Sequence, residues 1–177
     1  MLTERVQKSE KFQSTIIFIV ISIIWGSSFI LIKKGLVVFS PMQVATIRIF
    51  FASLFLFPIA LKNIKKIPEG KTKYFIIAGI LGNLIPAILF AMAQTKLNSS
   101  LSGILNALTP LFTLLFAVFV FKIKVSGFQI FGIILGFAGI IALSMLNSKG
   151  DFGDFNVNVW LIVVATIFYA LNLIIIK

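Results

Sequence analysis

The chain contains no cysteine and no histidine, and only five of its 177 residues are acidic. Without thiol or imidazole groups it forms no disulfide, no thiolate or imidazole metal site, no haem ligation and no Ser/His or Cys nucleophile. No cofactor or metal site is therefore expected, and the chain is not read as an enzyme. The acids are Glu4, Glu10, Glu69, Asp151 and Asp154, and all fall between the apolar runs, so no carboxylate stands at membrane depth for proton relay. Charged residues make up 12% of the chain, half or less of what a soluble domain uses to keep its surface wet. A soluble protein is excluded.

What is present is hydrocarbon. Apolar residues form 59% of the chain and Phe alone occurs 20 times. They fall into six runs, Ser14 to Ile32, Met42 to Leu61, Tyr74 to Ala93, Leu97 to Phe121, Val125 to Asn147 and Phe155 to Ile176. Each is near the roughly 20 residues that cross about 30 Å of bilayer core. The pattern predicts an all-α polytopic membrane protein with about six transmembrane helices. The first run is preceded by basic residues like a signal peptide, yet it is longer than a signal core and no small-residue cleavage site follows, so it reads as a retained span.

The net charge of +11 does not imply nucleic acid, because the basic residues sit at run ends rather than on one solvated face. Alternate sides of the membrane carry ten and four of them. The richer side holds Arg5, Lys8, Lys11, the loop from Lys62 to Lys73, Lys122 and Lys124; the poorer side holds Lys33, Lys34, Lys96 and Lys149. The positive-inside bias places the N-terminus and Lys177 on the cytoplasmic side of the plasma membrane. Pro41 suits the first turn of span two, and Pro68 with Gly70 marks an irregular cytoplasmic loop.

Helical spacing selects candidate site residues. In span four, Ser99, Ser102, Asn106, Thr109 and Thr113 stay within an arc of about 80°. Such a stripe faces a water-filled path or a neighbouring helix, since bare polar groups are costly in hydrocarbon. Pro110 withholds a donor from the Asn106 carbonyl, and Pro86 does the same in span three, so both are candidate hinges. Span three sets Asn83, Pro86, Phe90 and Gln94 on one side, for ligand contact or for bonds to neighbours. In span one, Ser22, Trp25, Gly26 and Phe29 share a face, and Trp25 offers a ring for an organic solute or for buried packing. Arg48, the one charge inside a run, either attracts an anionic group or bonds structurally. Lys33 reads as an anchor, and Gly132, Gly136 and Gly139 as a packing groove.

The segment Ile24 to Lys33 aligns with Phe168 to Lys177 at an offset of 144 residues, matching Trp25 to Tyr169 and Ser28 to Asn172. Five spans separate the two copies, so the second enters the membrane inverted, the mark of an inverted-repeat transporter.

Trp25-Gly26-Ser27-Ser28-Phe29 with Lys33, Pro41 and Arg48, Leu105 through Thr113, and Gly132 through Gly139 resemble the EamA-type members of the drug/metabolite transporter superfamily. The resemblance implies the first half of an inverted-repeat ten-helix fold. Residues 1–13 form a cytoplasmic segment, 14–147 the first five-helix repeat, and 148–177 an outer loop and the first helix of a truncated second repeat. It further implies export or exchange of small metabolites by alternating access around a central cavity. The substrate-binding residues expected are Ser22, Trp25, Ser28, Asn83, Phe90, Gln94, Ser102, Asn106, Thr109, Tyr169 and Asn172. The expected partners are a small-molecule substrate, the lipid bilayer, and either a missing C-terminal half or a second copy of the chain. A non-transporting subunit or remnant is the alternative. With no acid in the runs, transport independent of the proton gradient is expected.

Overall fold

The computed structural model describes residues 2–123, 126–147 and 157–175. The loop carrying Lys149, Asp151 and Asp154, together with Lys124, Val125, Ile176 and Lys177, lies outside the described residues. Within them the chain is helical and contains no strand. Helix α1 runs from Leu2 to Gly35, so the N-terminal segment continues span one as a single helix of 34 residues. Helix α2 (Pro41–Asn63) starts on a capping box: the Ser40 hydroxyl accepts from the Gln43 amide, and the Gln43 side chain accepts from the Ser40 amide. Pro41 opens the first turn, where its missing donor costs nothing.

Span three is broken into three pieces: α3 (Thr72–Gly79), a π-turn over Ile80–Leu84, and α4 (Ile85–Ala93). The Ile85 amide reaches back five residues to the Ile80 carbonyl. Pro86 accounts for the break, since its ring and its missing N–H both disfavour a tight α-turn immediately before it. Span four is divided as well, into α5 (Ser99–Asn106) and α6 (Leu108–Phe121), with Ala107 between them, three residues before Pro110. Helices α7 (Gly127–Asn147) and α8 (Val157–Ile175) complete the order.

The stretches Phe12–Gly35, Pro41–Lys66, Thr72–Ala93 and Ser99–Val120 are long and apolar enough to cross a membrane, and shorter apolar helices cover Gly127–Gly139 and Val157–Leu173. The outward faces suit hydrocarbon: on α2, Phe50, Phe51, Phe55 and Phe57 are all exposed. Several buried positions are small instead, with Ala45, Ala91, Ala93, Ala165 and Ala170 all fully covered. Lipid tails are as apolar as any side chain, so helices associate by close backbone approach and van der Waals contact rather than by expelling water. Of the four glycines in α7, Gly136 meets Leu111 of α6, while the positions of Gly127, Gly132 and Gly139 open onto free space.

Two clusters set the arrangement. Ile32, Val44, Ala45, Ala87 and Ala91 join α1, α2 and α4. Phe90, Ala93, Leu97, Leu105, Leu108, Val159, Ile162 and Ala165 join α4, α5, α6 and α8. Helix α8 thus packs on spans three and four, and Phe90 on α4 belongs to the cluster that α8 completes.

Candidate functional site

Span one and span two meet where Val44 packs against Gly35, at the start of α2 and the end of α1. Beside this contact lies a cavity of about 430 Å³, lined by Ile24, Leu31, Ile32 and Ile47 with Ser27, Ser28 and Arg48 as its polar side chains. An Nη2 proton of Arg48 is donated to the Ser28 hydroxyl at 3.1 Å, tying α2 to α1 within the membrane. The hydroxyl of Tyr169 on α8 lies within electrostatic range of the same guanidinium.

An aromatic path leads inward from this point. The Phe29 ring lies 5.7 Å from that of Phe90, and Phe90 lies 6.1 Å from Tyr169, both tilted. These separations suit favourable edge-to-face or offset contact between ring quadrupoles. Phe90 is 3% exposed, so the path forms the centre of the packing between spans one, three and six.

One helical turn beyond Tyr169, Asn172 packs against Gly82 in the π-turn. A methyl group on Gly82 would collide with the Asn172 carboxamide, so only glycine lets the two elements approach this closely. The Asn172 Oδ1 is buried and accepts no hydrogen bond within the described residues. The π-turn also rotates Asn83. A regular helix puts Asn83, Pro86, Phe90 and Gln94 on one side; the extra residue of the π-turn leaves Asn83 exposed while the other three are buried.

At the end of span three, the Lys33 ammonium donates to the carbonyls of Gln94 at 2.6 Å and Leu97 at 2.9 Å. These carbonyls close α4 and the turn that follows, where the helix dipole favours a cation. The Gln94 side chain is fully buried, and neither its Nε2 nor its Oε1 has a partner among the described residues. Lys33 and Gln94 line a second cavity of about 230 Å³ with Leu36, Val37 and Thr95.

The polar stripe of span four is largely satisfied within its own helix. Ser102 donates to the Asn98 carbonyl at 3.0 Å, Thr113 to the Thr109 carbonyl at 2.8 Å, and Thr109 to the Asn106 side chain at 3.5 Å. Ser102 is fully buried, whereas Asn106 and Thr109 are half-buried beside the break at Ala107.

Of the residues the sequence singles out, Ser28, Phe90, Tyr169 and Asn172 are thus brought to the junction of spans one, two, three and six. Ser22 and Trp25 stand apart on α1: Ser22 donates to the Phe18 carbonyl at 2.7 Å, and Trp25 is 64% exposed. Gln94 lies at the end of span three, and Ser102, Asn106 and Thr109 along span four. Three contributors were absent from the expected set: Arg48, Phe29 and Gly82. Arg48 carried a visible signal as the lone charge in a run, whereas Gly82 acquires its importance only from Asn172, 90 positions away.

Apolar helices long enough to cross a membrane, with a charge, a hydroxyl and a ring path gathered beside one another, define a polytopic membrane protein with a candidate polar site. Residues 13–145 match the EamA-like transporter family, and the chain belongs to that family. It is 32% identical over 133 residues to the uncharacterized inner membrane transporter YedA of Escherichia coli K12, covering 73% of this chain and 42% of that protein. An uncharacterized transporter of Clostridium kluyveri is 30% identical over 117 residues, covering 64% of this chain and 37% of its own. A WAT1-related chloroplastic protein of Arabidopsis thaliana is 27% identical over 136 residues, covering 75% of this chain and 32% of its own. The chain therefore matches 32% to 42% of the length of these relatives. No solved structure matches it.

Proposed function

We propose that the chain is part of a transporter that exports or exchanges a small organic metabolite by alternating access, with its solute site at the junction of Ser28, Arg48, Phe90 and Tyr169. The observation that carries this reading is the convergence, within the membrane, of the one charge in the apolar runs with a hydroxyl and three rings from spans one, three and six. An apolar wall with a few placed polar groups is the usual make-up of a small-molecule site. The 144-residue alignment of Trp25 with Tyr169 supports an inverted second half completing the cavity, and the greater length of the relatives agrees with it. The basic loops support a cytoplasmic N-terminus in the plasma membrane. Because the runs contain no carboxylate, exchange or facilitated diffusion without proton coupling is the simplest mechanism.

The test is efflux from cells that express the full-length product and are preloaded with a labelled panel of amino acids, nucleosides and sugars. Phe90→Ala and Tyr169→Ala are each expected to lower efflux at least tenfold at equal membrane abundance, with a protonophore leaving the wild-type rate unchanged. Efflux unaltered in both variants would remove this junction as the solute site.

A further inference from the structure

Arg48 is a permanent cation within a membrane span, and none of the five acids lies in any apolar run. In the structure its guanidinium donates to one neutral oxygen, the Ser28 hydroxyl, and so most of its five donor protons have no acceptor among the described residues. A cation taken from water is costly unless a counter-charge and further acceptors meet it. The group also faces space rather than packed side chains, because it lines the cavity of about 430 Å³ between α1 and α2. That volume falls within the range of small-molecule sites, and apart from Ser27, whose hydroxyl donates to the Ile24 carbonyl, its remaining walls, Ile24, Leu31 and Ile47 among them, are apolar.

We propose that Arg48, held by Ser28, anchors the single anionic group of an amphipathic organic solute, whose apolar part lies along Ile24, Leu31 and Ile47. This inference rests on the transport reading above and names the substrate class for it: a carboxylate or phosphate monoester on an apolar body. An anionic lipid headgroup presents the same chemistry, but depth separates the two sources. Arg48 follows Pro41 by seven residues, about 10 Å along the helix, and its partner Ser28 precedes the end of α1 at Gly35 by the same number, so the bonded pair lies at that depth. A solute entering the cavity reaches that level, whereas a lipid phosphate stays with the headgroups. Charge-assisted hydrogen bonds to a guanidinium are roughly twice as strong as neutral ones, so the site discriminates by charge more than by shape.

Full-length protein in phosphatidylcholine nanodiscs provides the test, with three probes that share one apolar body: 3-phenylpropionate, 3-phenylpropanamide and 3-phenylpropylammonium. Binding is read by equilibrium titration and by the shift in thermal unfolding. The carboxylate is expected to bind at least tenfold more tightly than the amide, and the ammonium not at all. Arg48→Gln is expected to abolish the preference for the carboxylate, and Arg48→Lys, which keeps the charge, to retain part of it. Equal affinity for carboxylate and amide in the wild type would overturn the proposal, as would an undiminished preference in Arg48→Gln. Stabilisation by added phosphatidylglycerol through Arg48, with no response to 3-phenylpropionate, would overturn it in favour of a lipid. Carboxylate binding through Arg48 in a protein that moves no solute would sustain this inference while the transport reading failed.

Discussion

At the residue scale, an ammonium group and a glycine each tie neighbouring spans together. Lys33 reaches from the end of α1 to two carbonyls that terminate span three, in place of the water or cap that such carbonyls need. Removing the charge while keeping the stem, as in Lys33→Met, leaves both carbonyls without their donor in a partly buried place. The variant is expected to be less stable by about 1–3 kcal/mol in detergent unfolding, with Lys33→Arg recovering part of the loss. Gly82 acts by having no side chain. Gly82→Ala forces the Asn172 carboxamide out of its position, and a lower unfolding temperature is expected. Adding Asn172→Ala to the same protein is expected to restore most of that temperature; a double variant as unstable as Gly82→Ala alone would show that the glycine serves something other than this contact.

At the element scale, α2 runs unbroken through Pro58, while the spans that carry Pro86 and Pro110 depart from regular helix in different ways. Pro86 is preceded by a π-turn that keeps span three continuous but rotates its first half relative to its second. Pro110 is associated with a full interruption at Ala107, whose amide reaches back to the Ile104 and Leu105 carbonyls in a tight turn. Both irregular places lie beside partly or wholly buried polar side chains, Asn172 in one case and Asn106 in the other, where freed backbone groups in a bundle find substitutes. Pro110→Ala returns a donor to the Asn106 carbonyl. Helices α5 and α6 are expected to fuse, with slower hydrogen–deuterium exchange between residues 107 and 112 and slower efflux. Unchanged exchange there would mean that tertiary packing, rather than the proline, holds the break open.

At the scale of the whole molecule, the absence of cysteine from these 177 residues makes the membrane arrangement directly testable, with the unsubstituted protein as the labelling control. Ser9→Cys precedes span one and Ser40→Cys begins span two. With a cytoplasmic N-terminus, a membrane-impermeant maleimide added to intact cells is expected to label position 40 and to reach position 9 only after permeabilisation. The reverse pattern would invert the topology read from the basic loops. Helix α8 is informative at this scale too. It contributes Val159, Ile162 and Ala165 to the cluster shared with spans three and four, and Tyr169 to the ring path, so the candidate site is incomplete without it.

That the chain is all-α and polytopic was legible in composition and run length alone, because the hydrocarbon core sets a fixed length and leaves little freedom to any segment that crosses it. The start of α2 was legible too, at Pro41, whereas the capping box of Ser40 and Gln43 beside it emerged only with the structure. Periodicity failed where a helix departs from 3.6 residues per turn: the π-turn exposes Asn83, and the break at Ala107 interrupts the span-four stripe. Which polar residues meet was a matter for the tertiary structure. Ser28 and Tyr169 were visible candidates, yet their association with Arg48 and Phe90 depends on how four spans pack. The same holds for Lys33 with Gln94 and Leu97, and for Gly82 with Asn172. Helix contacts in lipid are chosen by surface shape and by the few available hydrogen bonds, not by a general drive to bury apolar surface, and neither shape nor partner is encoded at any fixed sequence spacing.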